Sequence, residues 1–137
     1  VVASPKQVAR QGQPTSPAEL ARMDTVAMSA QDGKGAWHLL GPGGEGLTLE
    51  HRPRLVADDL LTLQWAARAG IGATTLPDYM CRDDVQAGRL LRLLPEWALR
   101  PMIFHAVFPS RRGLVPAVRQ FLDFLGEQVK GPGLWPD

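Results

Sequence analysis

Apolar residues in this chain occur in two rhythms: short runs closed by Gly or Pro, and longer stretches spaced like one face of a helix. The first rhythm marks buried strands and the second marks amphipathic helices. Both meet in the most regular stretch, Arg54 to Met80, RLVADDLLTLQWAARAGIGATTLPDYM. Leu55-Val56-Ala57 is too short for a helix and predicts a buried strand. Asp58 and Asp59 then start a helix, because a carboxylate there accepts from the free first-turn amides and is favoured by the positive end of the helix dipole. Gly70 ends that helix by taking a left-handed conformation. Ile71 to Leu76, with β-branched Thr74 and Thr75, predicts a second strand closed by Pro77. Strand, helix and strand in succession predict a right-handed βαβ unit.

The helix of this unit carries two apolar stripes. At 100° per residue, Leu60, Leu63 and Ala67 share one side, and Leu61, Trp65 and Ala69 share another. One stripe covers the sheet. The second is covered either by a loop of the same chain or by another subunit, since Trp is enriched at interfaces.

The rest follows the same grammar. Val1-Val2-Ala3 reads as a strand already under way, so the chain is expected to begin inside a domain. Ser4-Pro5 starts a short helix that Gly12 and Pro14 end, and Ser16-Pro17 starts another, with Glu19 placed for a capping box. Strands are predicted at Thr25 to Ser29, Ala36 to Leu40 and Leu47 to Glu50. The glycine-rich segment Gly41 to Gly46 looks like a phosphate loop, but no Lys-Ser/Thr follows it, so a hairpin loop is expected. A helix is predicted from Asp78 to Ala87, a strand from Leu90 to Leu94, a loop from Glu96 to Pro101 and a strand from Met102 to Phe108. From Leu114 to Val129, Leu114, Val118, Phe121, Leu122, Leu125 and Val129 line one helix face, which needs a surface to cover. Lys130 to Asp137 is expected to be a loose tail.

Composition narrows the function. A chain of 137 residues that is 45% hydrophobic and 21% charged is one ordinary globular domain. A formal charge of +1 gives no general attraction to nucleic acid or to an anionic membrane. One cysteine, Cys81, fits a reducing compartment, with cytosol as the default, and no apolar run is long enough to span a membrane. His38, His51 and His105 lack metal-ligand spacing, so no metal site and no cofactor is expected. Neither Cys81 nor the Asp58-Asp59 pair has partners that would make it catalytic, so an enzyme is not expected. Strand ends that lead into helix starts, at Ser4, Asp58 and Pro77-Asp78, fit a binding crevice better.

These residues resemble a known family. The segments VVASPKQVARQGQPTSPAELARMD, the Arg54 to Met80 stretch, AGRLLRLLPEW and IFHAVFPSRRGLVPAVRQFLDFL resemble, in that order, the later half of the effector-binding domain of LysR-type bacterial transcriptional regulators. The resemblance covers Val1 to about Glu127. Its most specific parts are the Val-Ala-Ser-Pro opening, Ala69 to Pro77, and Phe108 to Leu125. It implies an α/β fold like a lobe of the type II periplasmic binding proteins, a mixed sheet flanked by helices. Residues 1–104 would form the second lobe, 105–129 the return strand and helix of a first lobe that is mostly absent, and 130–137 the tail. It further implies a small-molecule inducer between the lobes, self-association through Leu61, Trp65 and Ala69, and DNA contact only through an absent N-terminal domain. The second lobe's share of the pocket is expected at Ala3, Ser4, Asp58, Asp59, Leu76, Pro77 and Asp78. The competing reading is a lobe of a transport-associated solute-binding protein, which would share the fold.

Overall fold

A mixed sheet organises the first of two units into which the chain divides, Val1–Pro101 and Met102–Asp137. The structure, a computed structural model, describes residues 1–100, 107 and 115–129. The elements of the first unit are β1 (Val2–Ala3), α1 (Pro5–Gln11), α2 (Pro17–Leu20), β2 (Thr25–Ala27), β3 (Gly35–Leu40), β4 (Gly46–His51), β5 (Pro53–Val56), α3 (Leu60–Arg68), α4 (Asp78–Gln86), β6 (Leu91–Arg92) and β7 (Ala98–Leu99). The second holds α5 (Pro116–Val129). The strand expected at Met102 to Phe108, the division after Phe104 and the tail from Lys130 lie largely or wholly outside the described residues.

Strand β2 pairs in parallel with β5, and Thr25 at its start bridges in parallel to Ala73. Thr74 bridges in antiparallel fashion to Val2, and β1 pairs antiparallel with β6. The order across the array is therefore β5, β2, the Ala73-Thr74 segment, β1, β6. This corrects the expected βαβ unit in two ways. Ile71 to Leu76 is not a strand: it contributes only the bridges at Ala73 and Thr74, because its backbone changes partner between those two residues. Ala73 exchanges hydrogen bonds of 2.8 Å with Asp24 and Val26, whereas Thr74 exchanges bonds of 2.9 and 3.0 Å with Val2. In addition, β2 lies between the two segments that α3 connects.

Other boundaries move as well. β2 ends at Ala27, and the strand expected over Leu90 to Leu94 shrinks to Leu91–Arg92. Leu94 takes a φ of 47°, which takes the chain out of the strand. The loop expected from Glu96 to Pro101 contains β7, which pairs with β3. The glycine-rich segment is a hairpin loop, as expected: β3 and β4 pair from Gly35 opposite His51 to Leu40 opposite Gly46.

Local signals explain the helix starts. Ser4 Oγ accepts from Gln7 N at 3.2 Å and Ser16 Oγ from Glu19 N at 3.3 Å, each with Pro at the first helical position. The expected capping box closes one residue early: Glu19 Oε2 accepts from Thr15 N at 2.7 Å and Thr15 Oγ1 at 2.9 Å, not from Ser16. Two apolar clusters hold the unit together. Leu20, Met23, Trp37, Leu39, Leu49 and Leu93 form one, and Val26, Leu63, Ala66, Leu76, Cys81 and Leu90 form the other. Burying a side chain of the size of Leu contributes roughly 1.5–3 kcal/mol.

In α5, Phe121 is 58% and Leu125 38% exposed, and Leu122 is half-buried.

Candidate functional site

The direction of each strand decides which predicted residues can meet. β5, β2 and the Ala73-Thr74 segment all run the same way, so their carboxyl ends share one end of the sheet. Asp58 and Asp59 follow β5 there, and Leu76, Pro77 and Asp78 follow Thr74. Asp59 is the N-cap of α3, its Oδ1 accepting from Thr62 N at 2.8 Å. Hydrogen bonds from Thr62, side chain and then backbone, hold its carboxyl below the usual range. Asp58 is exposed and takes no part in that cap. Leu76 is buried in the core beneath. Pro77 is the N-cap of α4 and makes no side-chain cap hydrogen bond. Asp78, in that first turn, is exposed and pairs with Arg92 at 2.9 Å.

Ala3 and Ser4 are placed elsewhere. β1 runs antiparallel to the Ala73-Thr74 segment, so its carboxyl end lies at the amino ends of the parallel strands. Both residues are buried, and Ser4 Oγ is spent on capping α1 and lies beside Gly70. The structure thus groups five of the expected residues, Asp58, Asp59, Leu76, Pro77 and Asp78, and separates the other two from them. Sequence reasoning missed Met28 and Ser29, which leave β2 at the same end as Asp58 and are exposed. The signal was available: they follow a strand parallel to β5. Beyond Ser29 opens a recess of about 590 Å³ whose walls include Gln31, Lys34, His38 and Glu50.

An ion-pair network around the buried Asp84 ties α3 to α4. Asp84 accepts from Gln64 Nε2 at 2.8 Å and from Arg89 at close range, with Arg68 Nε 3.7 Å away. Burial raises the Asp84 pKa, but the Arg89 and Gln64 hydrogen bonds and the two guanidinium charges outweigh it and hold the carboxyl below its usual range. Its stabilising effect is complete above the pKa of an unfolded aspartate, about 3.9, and is lost as pH falls through the lower folded value. Asp84→Asn should therefore melt lower than the parent at neutral pH, with the gap closing in acid. Equal melting temperatures at neutral pH would refute this.

The outer stripe of α3 is exposed among the described residues. Leu61 is 61% and Trp65 63% exposed, Ala69 is exposed, and the Arg68 guanidinium lies 4.5 Å from the Trp65 ring centroid. The inner stripe, Leu60, Leu63 and Ala67, faces the sheet as expected, joined by Ala66, which the sequence reading omitted. Among the described residues, no group of three His, Cys, Asp or Glu side chains could hold a metal ion, and no helix is long and apolar enough to cross a membrane.

The sequence matches the family model described as LysR substrate binding domain over residues 1–130. The chain belongs to this family. It is 33% identical over 129 residues to an HTH-type transcriptional regulator of Xanthomonas campestris, covering 91% of this chain and 37% of that protein. It is 30% identical to the HTH-type transcriptional regulator PtxR of Pseudomonas aeruginosa, over 93% of this chain and 41% of the relative. Among solved structures it is similar to the LysR-type transcriptional regulator CrgA of Neisseria meningitidis, with a TM-score of 0.78 and 27% identity over 95% of this chain and 44% of that one. The CrgA regulatory domain alone gives a TM-score of 0.76 at 29% identity, over 93% of this chain and 62% of that domain. The α/β fold of the LysR regulatory domains, related to the type II periplasmic binding proteins, is thus the fold of this chain, and the relatives named are transcriptional regulators. The chain spans about two fifths of the length of the curated relatives it matches.

Proposed function

We propose that this chain supplies the second lobe of a ligand-sensing domain in a cytoplasmic LysR-type regulator. A small-molecule inducer would sit at the carboxyl ends of the parallel strands, against Asp58, Asp59, Pro77 and Asp78, with Met28 and Ser29 beside them. Leu76 forms the floor. The observation that carries this reading is that two helix starts, at Asp58-Asp59 after β5 and at Pro77-Asp78 after the bridged Ala73-Thr74 segment, open at one end of the sheet, where ligands bind in open α/β folds. The acidic side chains favour inducers with hydroxyl or amine groups over bare carboxylates. Contact with DNA belongs to a helix-turn-helix segment of the larger protein, and self-association to the outer face of α3.

A thermal-shift screen of hydroxylated and amine-bearing small molecules against the regulator tests the site. A compound that raises the melting temperature should lose its effect in Asp58→Ala and Asp78→Ala and keep it in Ser4→Ala. The opposite pattern would move the pocket to the other end of the sheet. The 137-residue chain itself should not retard any duplex in a sequence-dependent way at physiological salt, because it carries a charge of +1 and no recognition helix among its described elements. A tight sequence-dependent complex with this chain alone would overturn the sensing-lobe assignment.

A further inference from the structure

His51 closes β4 where the β3–β4 hairpin meets the start of β2. The residue is 4% exposed. Its Nδ1 lies 2.6 Å from Thr25 Oγ1 of β2, and its ring stacks on Trp37 of β3 with centroids 4.1 Å apart and planes at 38°. Nε2 is buried without a hydrogen-bond partner. Across the hairpin stands Gly35, where a Cβ would lie 2.7 Å from the ring Cε1 and 2.8 Å from Nε2. The imidazole therefore fills the space that the glycine leaves.

This environment suits only a neutral ring. With the proton on Nδ1 and Thr25 Oγ1 as acceptor, Nε2 is a bare lone pair and its lack of a partner is tolerable. An imidazolium would add a charged N–H at Nε2, desolvated and without an acceptor. The neighbouring charges do not compensate. Arg22 after α2, Asp24 before β2, Lys34 before β3, and Glu50 and Arg52 on either side of His51 line the adjoining recess. Asp24 is engaged by Arg10 and Arg54, and Glu50 faces Lys34 at 3.5 Å. Burial accordingly lowers the His51 pKa from its ordinary value.

We propose that His51 is a pH-sensitive latch: the neutral ring holds the β3–β4 hairpin against the start of β2, and protonation releases it. The sign follows from proton linkage. The open state binds the proton more readily, so the latch is complete above the ordinary imidazole range and weakens as pH falls through that range towards the folded value.

Amide hydrogen exchange by NMR on the 137-residue chain, compared as protection factors near about pH 7.5 and about pH 5.5, reads the latch directly. The parent should lose protection in β3 and β4 on acidification while β1 and β6 keep theirs. His51→Asn keeps an amide atom near the Nδ1 position and cannot titrate, so its hairpin protection should be independent of pH. If the variant loses protection as the parent does, or the parent loses none, the latch is refuted. Should His51→Asn fail to fold, the parent's own ring titration decides. A His51 midpoint below the ordinary imidazole range that tracks the loss of protection supports the latch, and a midpoint within or above that range overturns it.

Discussion

Gly72→Ala is expected to lower folding stability by about 3 kcal/mol, at the upper end for an overpacked core position. A Cβ at Gly72 would lie 2.6 Å from the carbonyl carbon of Thr25, 2.8 Å from its Cα and 2.9 Å from its nitrogen. These are backbone atoms of the central strand, which cannot rotate away as a side chain would. Pushing the segments apart would stretch the two 2.8 Å hydrogen bonds that Ala73 makes with Asp24 and Val26 on either side of Thr25. Gly70 differs. Its φ of +76° is the left-handed conformation that stops α3, and a Cβ there would meet Ser4 Oγ at 3.1 Å, with Lys6 Cδ and Gln7 N at the ordinary contact distances of 3.8 and 3.9 Å. Gly70→Ala should therefore cost about 1–2 kcal/mol of backbone strain. Urea melts of the two variants test the ranking, and a Gly72→Ala protein as stable as the parent would show that β2 can yield.

The same glycines show what could be read from the sequence alone. That a helix ends at Gly70 was legible, because a glycine after an apolar face is a stop signal in itself. That Gly72 must be a glycine was not, because the reason is a strand nearly fifty residues earlier in the chain. Helix starts at Ser4, Ser16 and Asp59 were legible for the same local reason, and so was the β3–β4 hairpin, whose two strands are adjacent in sequence. The segment from Ile71 to Leu76 has the composition of a strand, yet its partners are chosen by tertiary packing, one on each side. The candidate site divides along the same line. Each helix start could be found from sequence, but whether two of them open at the same end depends on the direction of the segments before them. β1 runs antiparallel to its neighbour, and that fact removes Ala3 and Ser4 from the group.

The two stripes of α3 should respond to substitution in opposite ways. Leu63 is 1% exposed among Val26, Ala66 and Leu90, so Leu63→Ala leaves a cavity and should cost about 2–5 kcal/mol, with no specific effect on association. Trp65 is exposed, and its described contact is with Arg68 on the same helix, so Trp65→Glu should leave the fold and its melting temperature close to the parent's. If Leu61, Trp65 and Ala69 form the subunit interface, that substitution places a carboxylate in the centre of an apolar contact and should disrupt association. Sedimentation velocity and thermal melts on both variants separate the two effects. A Trp65→Glu protein that melts much lower than the parent would make the outer stripe part of the fold. A well-folded one that self-associates as the parent does would place the interface on another face of the chain.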